Sequence, residues 1–238
     1  MERKFNLIKS DFEKHEKRVL PRFPFCYLTF KTAQQAHAFE IKDISYTGMQ
    51  LYCRDQEMSY KEGGAIQGMI HWLGHNLSVQ GSIKWINGQR LGVEFHKRHE
   101  QLTAISDFLK LDKMVKHLKP LHKMSSDLEL PPRLKYWLRS DGPVEIFVWQ
   151  HAGSEIAKFQ ILCFENFIEW EEGKGTNTGR IISKRNVDSP LINEDEWVFK
   201  LDLELDETKM NRGVELLNLL HEDLLPSEAH SFMMRQLS

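Results

Sequence analysis

Two short segments combine residue types that bind phosphates and nucleobases. Arg18 and Arg22 form an RxxxR sequence, and Asp43, Ser45 and Gly48 form a DxSxxG sequence. A guanidinium can clamp a phosphate with two parallel hydrogen bonds, and it also matches the O6 and N7 acceptors of guanine. A carboxylate or hydroxyl can accept the N–H groups on the opposite guanine edge. A glycine permits a sharp turn or a close approach to a ligand. Taken alone, RxxxR is typical of a solvated basic face and DxSxxG of a turn.

In this order and spacing, the two segments resemble the PilZ family, whose cyclic di-GMP site is built from RxxxR and [D/N]xSxxG. A third segment agrees, because residues 81–85 (GSIKW) and 91–95 (LGVEF) are similar to the closing strands of that family. The resemblance covers about residues 15–110 and implies a bacterial receptor for cyclic di-GMP, a ligand rather than a cofactor. The ligand-binding residues that it implies are Lys17, Arg18, Arg22, Asp43, Ser45 and Gly48.

The resemblance also implies a switch and leaves the number of ligands open. In PilZ-like proteins a basic residue at the position of Lys17 goes with binding of a stacked pair of ligand molecules, whereas the alternative is a surface lysine. Pro21 departs from the family pattern, and it would stiffen the RxxxR segment. We expect the ligand to order the segment around Arg18 and Arg22 against a rigid barrel, as in other order–disorder switches.

The elements that must position these residues are short strands. Apolar and polar residues alternate between residues 25 and 95, and Asn87-Gly88 is a strong hairpin signal. This pattern predicts a six-stranded antiparallel barrel. Apolar residues then recur at three- and four-residue steps over residues 100–118, which predicts a following helix. The predicted strands are 25–30, 39–44, 49–53, 65–72, 77–85 and 90–95.

The second half of the chain predicts a separate α+β domain. Linker-like sequence at residues 119–120 and 125–132 places the boundary near residue 122, so the predicted domains are 1–122 and 123–238. The second domain should be an antiparallel sheet with terminal helices at 207–223 and from Ser227 onward. The whole chain is thus mainly β with an α+β second half. The predicted strands of that half are 134–138, 144–149, 156–164, 167–170, 178–183 and 197–205.

Composition narrows the class of protein. The net charge of −2 provides no overall basic field, so we expect no nucleic-acid partner. The three cysteines are widely spaced and odd in number, which argues against a disulfide framework or a structural zinc site. The N-terminus lacks the pattern of a signal peptide, and apolar runs fall short of the roughly 20 residues of a membrane helix. These observations favour a cytoplasmic protein without membrane insertion.

No motif indicates catalysis, so we expect no enzyme, no catalytic residues and no metal site. His71 and His75 lie where a predicted strand runs into a turn rather than on one helix face, and Cys163 lies in an apolar run that predicts burial. The sequence has no GxSxG or GxxxxGK[ST]. The aromatic residues of the second half indicate core packing or, alternatively, a face left for a partner.

Three functions remain open at this point. The first is a receptor that passes the ligand signal through its second domain to a protein partner or a homodimer, in motility, surface polysaccharide or related behaviour. The second is an adaptor that retains the barrel and works without nucleotide, although the presence of both arginines argues against it. The third is a catalytic second domain that the first domain regulates.

Overall fold

The structure, a computed structural model, describes residues 25, 27–32, 38–53, 60–124, 132–184 and 197–238. Its contacts separate two compact units, which among the described residues are 25–113 and 114–238. The proposed domain boundary near residue 122 stays a prediction.

The first unit is a closed antiparallel barrel of six strands, in the order β1-β2-β3-β6-β5-β4. The two ends of this order pair with each other, since Phe30 of β1 lies opposite both Phe39 of β2 and Ile70 of β4. The predicted barrel is therefore confirmed. The strands are Thr29–Thr32 (β1), Ala38–Ile44 (β2), Gly48–Tyr52 (β3), Ala65–Trp72 (β4), His75–Asn87 (β5) and Arg90–Phe95 (β6).

Alternate side chains of these strands fill the barrel, which is why the sequence alternates. Phe30, Phe39 and Leu51 are almost completely buried. The helix His99–Phe108 (α1) brings Phe108 against Trp72, with ring centroids 6.2 Å apart. A second short helix, Leu111–Val115 (α2), follows. The prediction of one continuous helix over 100–118 is therefore wrong. Two helices occur instead, because the backbone leaves helical geometry at Leu109, where ψ is 20°.

The second unit is a seven-stranded sheet with the order β13-β12-β11-β10-β9-β8-β7, and all its neighbours are antiparallel. The predicted α+β class of this half is confirmed. Its strands are Lys119–Pro120 (β7), Leu134–Arg139 (β8), Val144–Gln150 (β9), Ile156–Cys163 (β10), Asn166–Glu171 (β11), Gly175–Lys184 (β12) and Trp197–Leu201 (β13).

Two details of this sheet differ from the sequence prediction. Lys119 and Pro120, predicted as linker, pair with the end of β8. The last strand ends at Leu201 rather than at residue 205. The chain leaves the sheet there because Thr178 bonds both sides of the following loop: its hydroxyl donates to Asp202 Oδ2 (2.7 Å) and accepts from the Asp206 backbone N–H (3.0 Å).

In the described part of this unit, three helices accompany the sheet: Leu121–Met124 (α3), Glu207–Asn218 (α4) and Ser227–Leu237 (α5). The carboxylate of Asp206 caps α4 by accepting from the backbone N–H groups of Thr208 and Lys209. Gly213 lets α4 approach Ile168, because a Cβ there would lie 2.6 Å from the Ile168 Cδ1 atom. Trp170 meets Phe232 of α5 edge to face at 4.9 Å.

Within the described part of the chain, no helix is both long enough and apolar enough to cross a membrane. Cys163 is fully buried, as predicted, and this burial raises the pKa of its thiol to about 12.

Candidate functional site

The structure describes half of the predicted ligand-binding residues. Asp43 ends β2, Ser45 follows in the turn, and Gly48 begins β3. Lys17, Arg18 and Arg22 lie outside the described residues. The RxxxR half of the site therefore stays a prediction, and the geometry that follows concerns the DxSxxG half.

A β-bulge directs Asp43 to the outside of the barrel. Ile41 pairs with Leu51, but the register then shifts so that Asp43 pairs with Gln50 and Ile44 with Met49. The extra residue, Lys42, allows Ile41 and Ile44 both to point into the core although they are three positions apart. Asp43 is consequently half-buried on the outer surface.

Ser45 holds the turn that follows. Its Oγ accepts hydrogen bonds from the backbone N–H groups of Gly48 (3.1 Å) and Thr47 (3.3 Å). The same hydroxyl is 3.2 Å from the Gly48 carbonyl oxygen, to which it can donate, and the Ser45 backbone N–H donates to that carbonyl at 2.8 Å. Ser45 is almost completely buried. Its side chain thus fixes the shape of the loop between β2 and β3.

Gly48 is required by the neighbouring strand rather than by a left-handed backbone. A Cβ at this position would lie 2.3 Å from the carbonyl oxygen of Val93 in β6, far inside van der Waals contact. Any larger residue would therefore push β3 away from β6. This contact accounts for the glycine of DxSxxG in terms of barrel packing.

Four residues form a row across the outer surface of strands β2, β3, β6 and β5. Asp43 pairs with Gln50, Gln50 pairs with Gly92, and Gly92 pairs with Trp85. We call Asp43, Gln50, Gly92 and Trp85 the outer row. A Cβ on Gly92 would lie 2.1 Å from the indole Nε1 of Trp85, so the indole occupies the space above this glycine.

Charged residues flank the outer row. Lys84 Nζ lies 2.5 Å from Glu94 Oε2, and this hydrogen bond lowers the pKa of the Glu94 carboxyl. Lys42 Nζ lies 2.8 Å from Glu40 Oε1 and 5.0 Å from the centroid of the Tyr52 ring. The row itself offers a carboxylate, an amide and an aromatic plane. This combination can accept nucleobase N–H donors and stack a base.

Sequence reasoning missed two members of the outer row. Trp85 was part of the family resemblance without any assigned role, and Gln50 was assigned none. The registers that align them with Asp43 depend on two bulges, at Lys42 in β2 and next to Ile83 in β5. The alternation pattern signals strands but does not locate such bulges. The signal that could have been used is the GxxxW sequence of residues 81–85, with Gly92 following on the paired strand.

The other residues considered as catalytic or metal-binding candidates do not form a second site within the described residues. His71 Nδ1 lies 2.7 Å from Asn76 Oδ1 across the β4–β5 hairpin, as an ordinary surface pair does. In the described ranges, no group of three or more histidine, cysteine, aspartate or glutamate residues is arranged to hold a metal ion.

The first unit is a small closed β-barrel with a motif-bearing loop and a polar, aromatic outer row. A family model described as "PilZ domain" matches residues 14–110, which include the barrel, α1 and both motifs. Residues 14–110 thus match the family that the sequence resemblance indicated.

The chain was also compared with solved structures and with curated proteins. The crystal structure of the Borreliella burgdorferi PlzA protein in complex with c-di-GMP is similar at a TM-score of 0.26 and 10% sequence identity, over 92% of this chain and 87% of that chain. No curated protein gives a significant match.

Proposed function

We propose that the PilZ domain of this protein binds cyclic di-GMP and that the protein acts as a receptor. The observation that carries the proposal is the presence of RxxxR (18–22) and DxSxxG (43–48) together within the range that matches the PilZ family model. The outer position of Asp43 in line with Trp85 supports it, because a carboxylate and an aromatic plane then lie on the same surface of the barrel.

Each predicted site residue would have a different role in binding the ligand. Arg18 and Arg22 would clamp phosphates or the O6/N7 edges of guanine. Asp43 would accept hydrogen bonds from N1–H and N2–H of a guanine, and Trp85 would stack a base. Ser45 and Gly48 would act mainly by shape, because the serine hydroxyl bonds the turn and the glycine contacts β6. Lys17 would add a cation for a second, stacked ligand molecule.

We further propose a conformational response to the ligand. Binding would order the segment around Arg18 and Arg22 against the barrel, and the second unit would pass the signal to a protein partner or to a second copy of the chain. The protein would act in the bacterial cytoplasm as a receptor rather than as an enzyme. Motility and surface polysaccharide are the processes that PilZ resemblance suggests for its output.

The test is calorimetric titration of the full chain with cyclic di-GMP, using GTP and cyclic AMP as controls. We expect selective binding with micromolar or tighter affinity, and the molar ratio distinguishes one ligand from a stacked pair. Absence of both heat and thermal shift at high micromolar ligand would overturn the proposal. That result would favour the alternative function, a nucleotide-independent adaptor built on the same barrel.

A further inference from the structure

A histidine side chain takes the place of a strand residue at one edge of the second sheet. Strand β7 ends at Pro120, which lies opposite Leu138 of β8. The chain then enters α3, and the ring of His122 continues the contact with β8. The backbone N–H of Trp137 donates to His122 Nδ1 at 3.2 Å. At Trp137, the edge of β8 is therefore bonded by an imidazole rather than by another backbone.

This bond fixes which nitrogen of His122 carries the proton in the neutral ring. A backbone N–H is always a donor, so the Nδ1 atom that faces it must be an acceptor. The proton of the neutral imidazole is therefore on Nε2. Nδ1 also lies 3.3 Å from the carbonyl oxygen of Trp137, but in this tautomer both atoms are acceptors and form no hydrogen bond.

The bound ring leaves one of its own polar groups unsatisfied. The Nε2 atom is buried, and within the described residues it has no hydrogen-bond partner. A buried donor without a partner destabilises the arrangement that buries it. The opposing contributions are the bond to Trp137 and an edge-to-face contact with Tyr136, whose ring centroid is 5.3 Å away. Loss of the Trp137 bond would therefore remove a main reason for the ring to stay in place.

A second proton can enter the ring only at Nδ1, the atom that accepts the Trp137 N–H. In the protonated ring, Nδ1–H and the Trp137 N–H would be two donors facing each other. The ring could donate to the Trp137 carbonyl oxygen instead, but the N–H of Trp137 would then lose its acceptor. Protonation of His122 thus removes the bond that holds the ring on β8.

The charged groups around the ring act in the same direction. Lys123 of α3 and Lys135 of β8 both disfavour a positive charge on His122. From the loop after α4, Asp223 engages other partners: its backbone carbonyl accepts from Lys123 Nζ at 3.0 Å, and its carboxylate pairs with the ring of His221. Within the described residues, the carboxylate of Asp223 is thus committed to another histidine.

Burial is the largest cause that lowers the pKa of His122 below its ordinary value of 6.5, and the two lysines add to it. A bond from the protonated ring to the Trp137 backbone opposes this shift without cancelling it. A group whose pKa is lowered by docking stabilises the docked state fully above its ordinary pKa, and this contribution is lost as the pH falls towards the lowered value. His122 is therefore neutral and bound to β8 at neutral pH.

We propose that His122 is a pH-sensitive latch, which holds α3 on the edge of β8 and releases it on acidification. Release would free the N–H and C=O of Trp137 at the sheet edge, where a further strand can add. The strand itself would stay in register, because Trp137 remains paired with Phe147 of β9 and its indole donates to Glu145 Oε1 at 2.6 Å.

The first test is exchange of the Trp137 amide proton, followed by NMR on the full chain without nucleotide at about pH 7.5 and about pH 5. Each pH unit below about 6.5 favours the released, protonated form by up to about tenfold, until the lowered pKa is reached. After correction for intrinsic exchange rates, the protection of Trp137 should fall at least about fivefold. The amide of Ile161, on a strand paired on both sides, reports global unfolding and should keep its protection.

His122→Asn separates titration from structure. The side-chain carbonyl of asparagine can accept the Trp137 N–H in place of Nδ1, but it cannot be protonated. Protection of Trp137 in this variant should be independent of pH. The matched control, His151→Asn, removes a histidine that bonds Glu172 outside the latch, and it should keep the pH dependence of the parent. Equal losses of protection in the parent and in His122→Asn would overturn the proposal.

A second measurement needs no substitution. The ring ¹⁵N chemical shifts of His122 in the parent report both the tautomer and the titration. We expect the proton on Nε2 at neutral pH, and a titration below pH 6.5 in step with the loss of Trp137 protection. A neutral ring protonated on Nδ1, or a titration that leaves Trp137 fully protected, would show that there is no such latch. Because no nucleotide is added, these failures are separate from failure of cyclic di-GMP binding.

Discussion

The barrel and the second sheet solve the same packing problem in different ways. Both are antiparallel, but the barrel closes on itself, so one face of every strand becomes core and the other is available for a ligand. The outer row can therefore carry Asp43, Gln50 and Trp85 without any cost to the core. The second sheet stays open and apolar on both faces, with Ile168 on one side and Phe167 on the other. Closure releases a face for binding, whereas both faces of the open sheet bury apolar side chains.

The largest effect that would sharpen this comparison concerns ligand affinity. Arg18→Ala combined with Arg22→Ala should weaken cyclic di-GMP binding by at least about 100-fold, because each charge-assisted hydrogen bond contributes about 1.5–3 kcal/mol. Thermal stability should not change, since neither residue belongs to one of the six barrel strands. Calorimetry and thermal melting of the same samples measure both quantities. Arg98→Ala, an exposed arginine before α1, is the matched control and should bind normally.

If the double variant retained full affinity, the ligand would be held elsewhere and the roles assigned to the two arginines would be wrong. A parallel loss in the Arg98→Ala control would instead indicate a general electrostatic effect.

The next effect concerns stability of the barrel. Gly48→Ala should destabilise it by about 2–4 kcal/mol, as overpacking against an immovable group does. The added Cβ would lie 2.3 Å from a backbone oxygen, which cannot move without disturbing β6. Urea unfolding measures the change. The control is Gly153→Ala, because a Cβ there meets nothing within 4 Å and φ is not positive.

A Gly48→Ala protein as stable as the parent would show that β3 and β6 can separate locally. In that case the tight contact at Val93 would not be what demands glycine in this motif.

Trp85 gives a smaller expected effect on the same surface. Trp85→Ala should weaken cyclic di-GMP binding by roughly 1–3 kcal/mol, the usual contribution of one stacked base. Trp85→Phe should restore much of the affinity, because it keeps an aromatic plane. Titration calorimetry measures both variants. Equal affinities for Trp85→Ala and the parent would show that the indole does not contact the ligand and only packs over Gly92.

The sequence predicted the barrel and the motif-bearing loop well, and the reasons are local. Alternation in β1 to β6 follows from one buried face, and Ser45 and Gly48 mark a turn by residue type alone. Which residues of neighbouring strands lie side by side was less predictable. The outer row depends on bulges in β2 and β5, and a bulge changes register without changing which residue types occur.

In the second half, the strands and helices were predictable, but the assignment of faces was not. Aromatic residues such as Phe147 and Phe159 occur on both sides of the sheet, and sequence alone does not reveal which side the helices cover. The break at Leu109 was missed because the apolar spacing continues across it. The early end of β13 arises from long-range bonds of Thr178, which no local pattern encodes.

In the second unit, Gly213→Ala should change the free energy of unfolding much less than Gly48→Ala does in the barrel. Gly213→Ala would place a Cβ 2.6 Å from Ile168 Cδ1 and 3.0 Å from Leu237 Cδ1. Both neighbours are ends of flexible side chains, and alanine in a helix interior gains about 1 kcal/mol over glycine. We therefore expect a change in unfolding free energy within about 1 kcal/mol, measured by urea unfolding beside Gly48→Ala. A loss as large as that of Gly48→Ala would show that the helix-covered face is as rigid as the barrel.

The smallest effect is a pH dependence at the start of α4. The backbone N–H groups of Lys209 and Thr208 bond the Asp206 carboxylate and lower the pKa of this group below its ordinary value of 3.8. A carboxyl with a lowered folded-state pKa contributes its full stability above the unfolded-state pKa, and it loses that contribution as the pH falls through the folded-state pKa. Asp206→Asn keeps a good capping side chain but cannot titrate. Thermal melts followed by helical circular dichroism should therefore match at pH 7, while the parent loses more stability than the variant below about pH 4. Identical acid profiles for the two proteins would mean that the cap does not contribute through its charge, and that α4 is held by the packing of its buried residues.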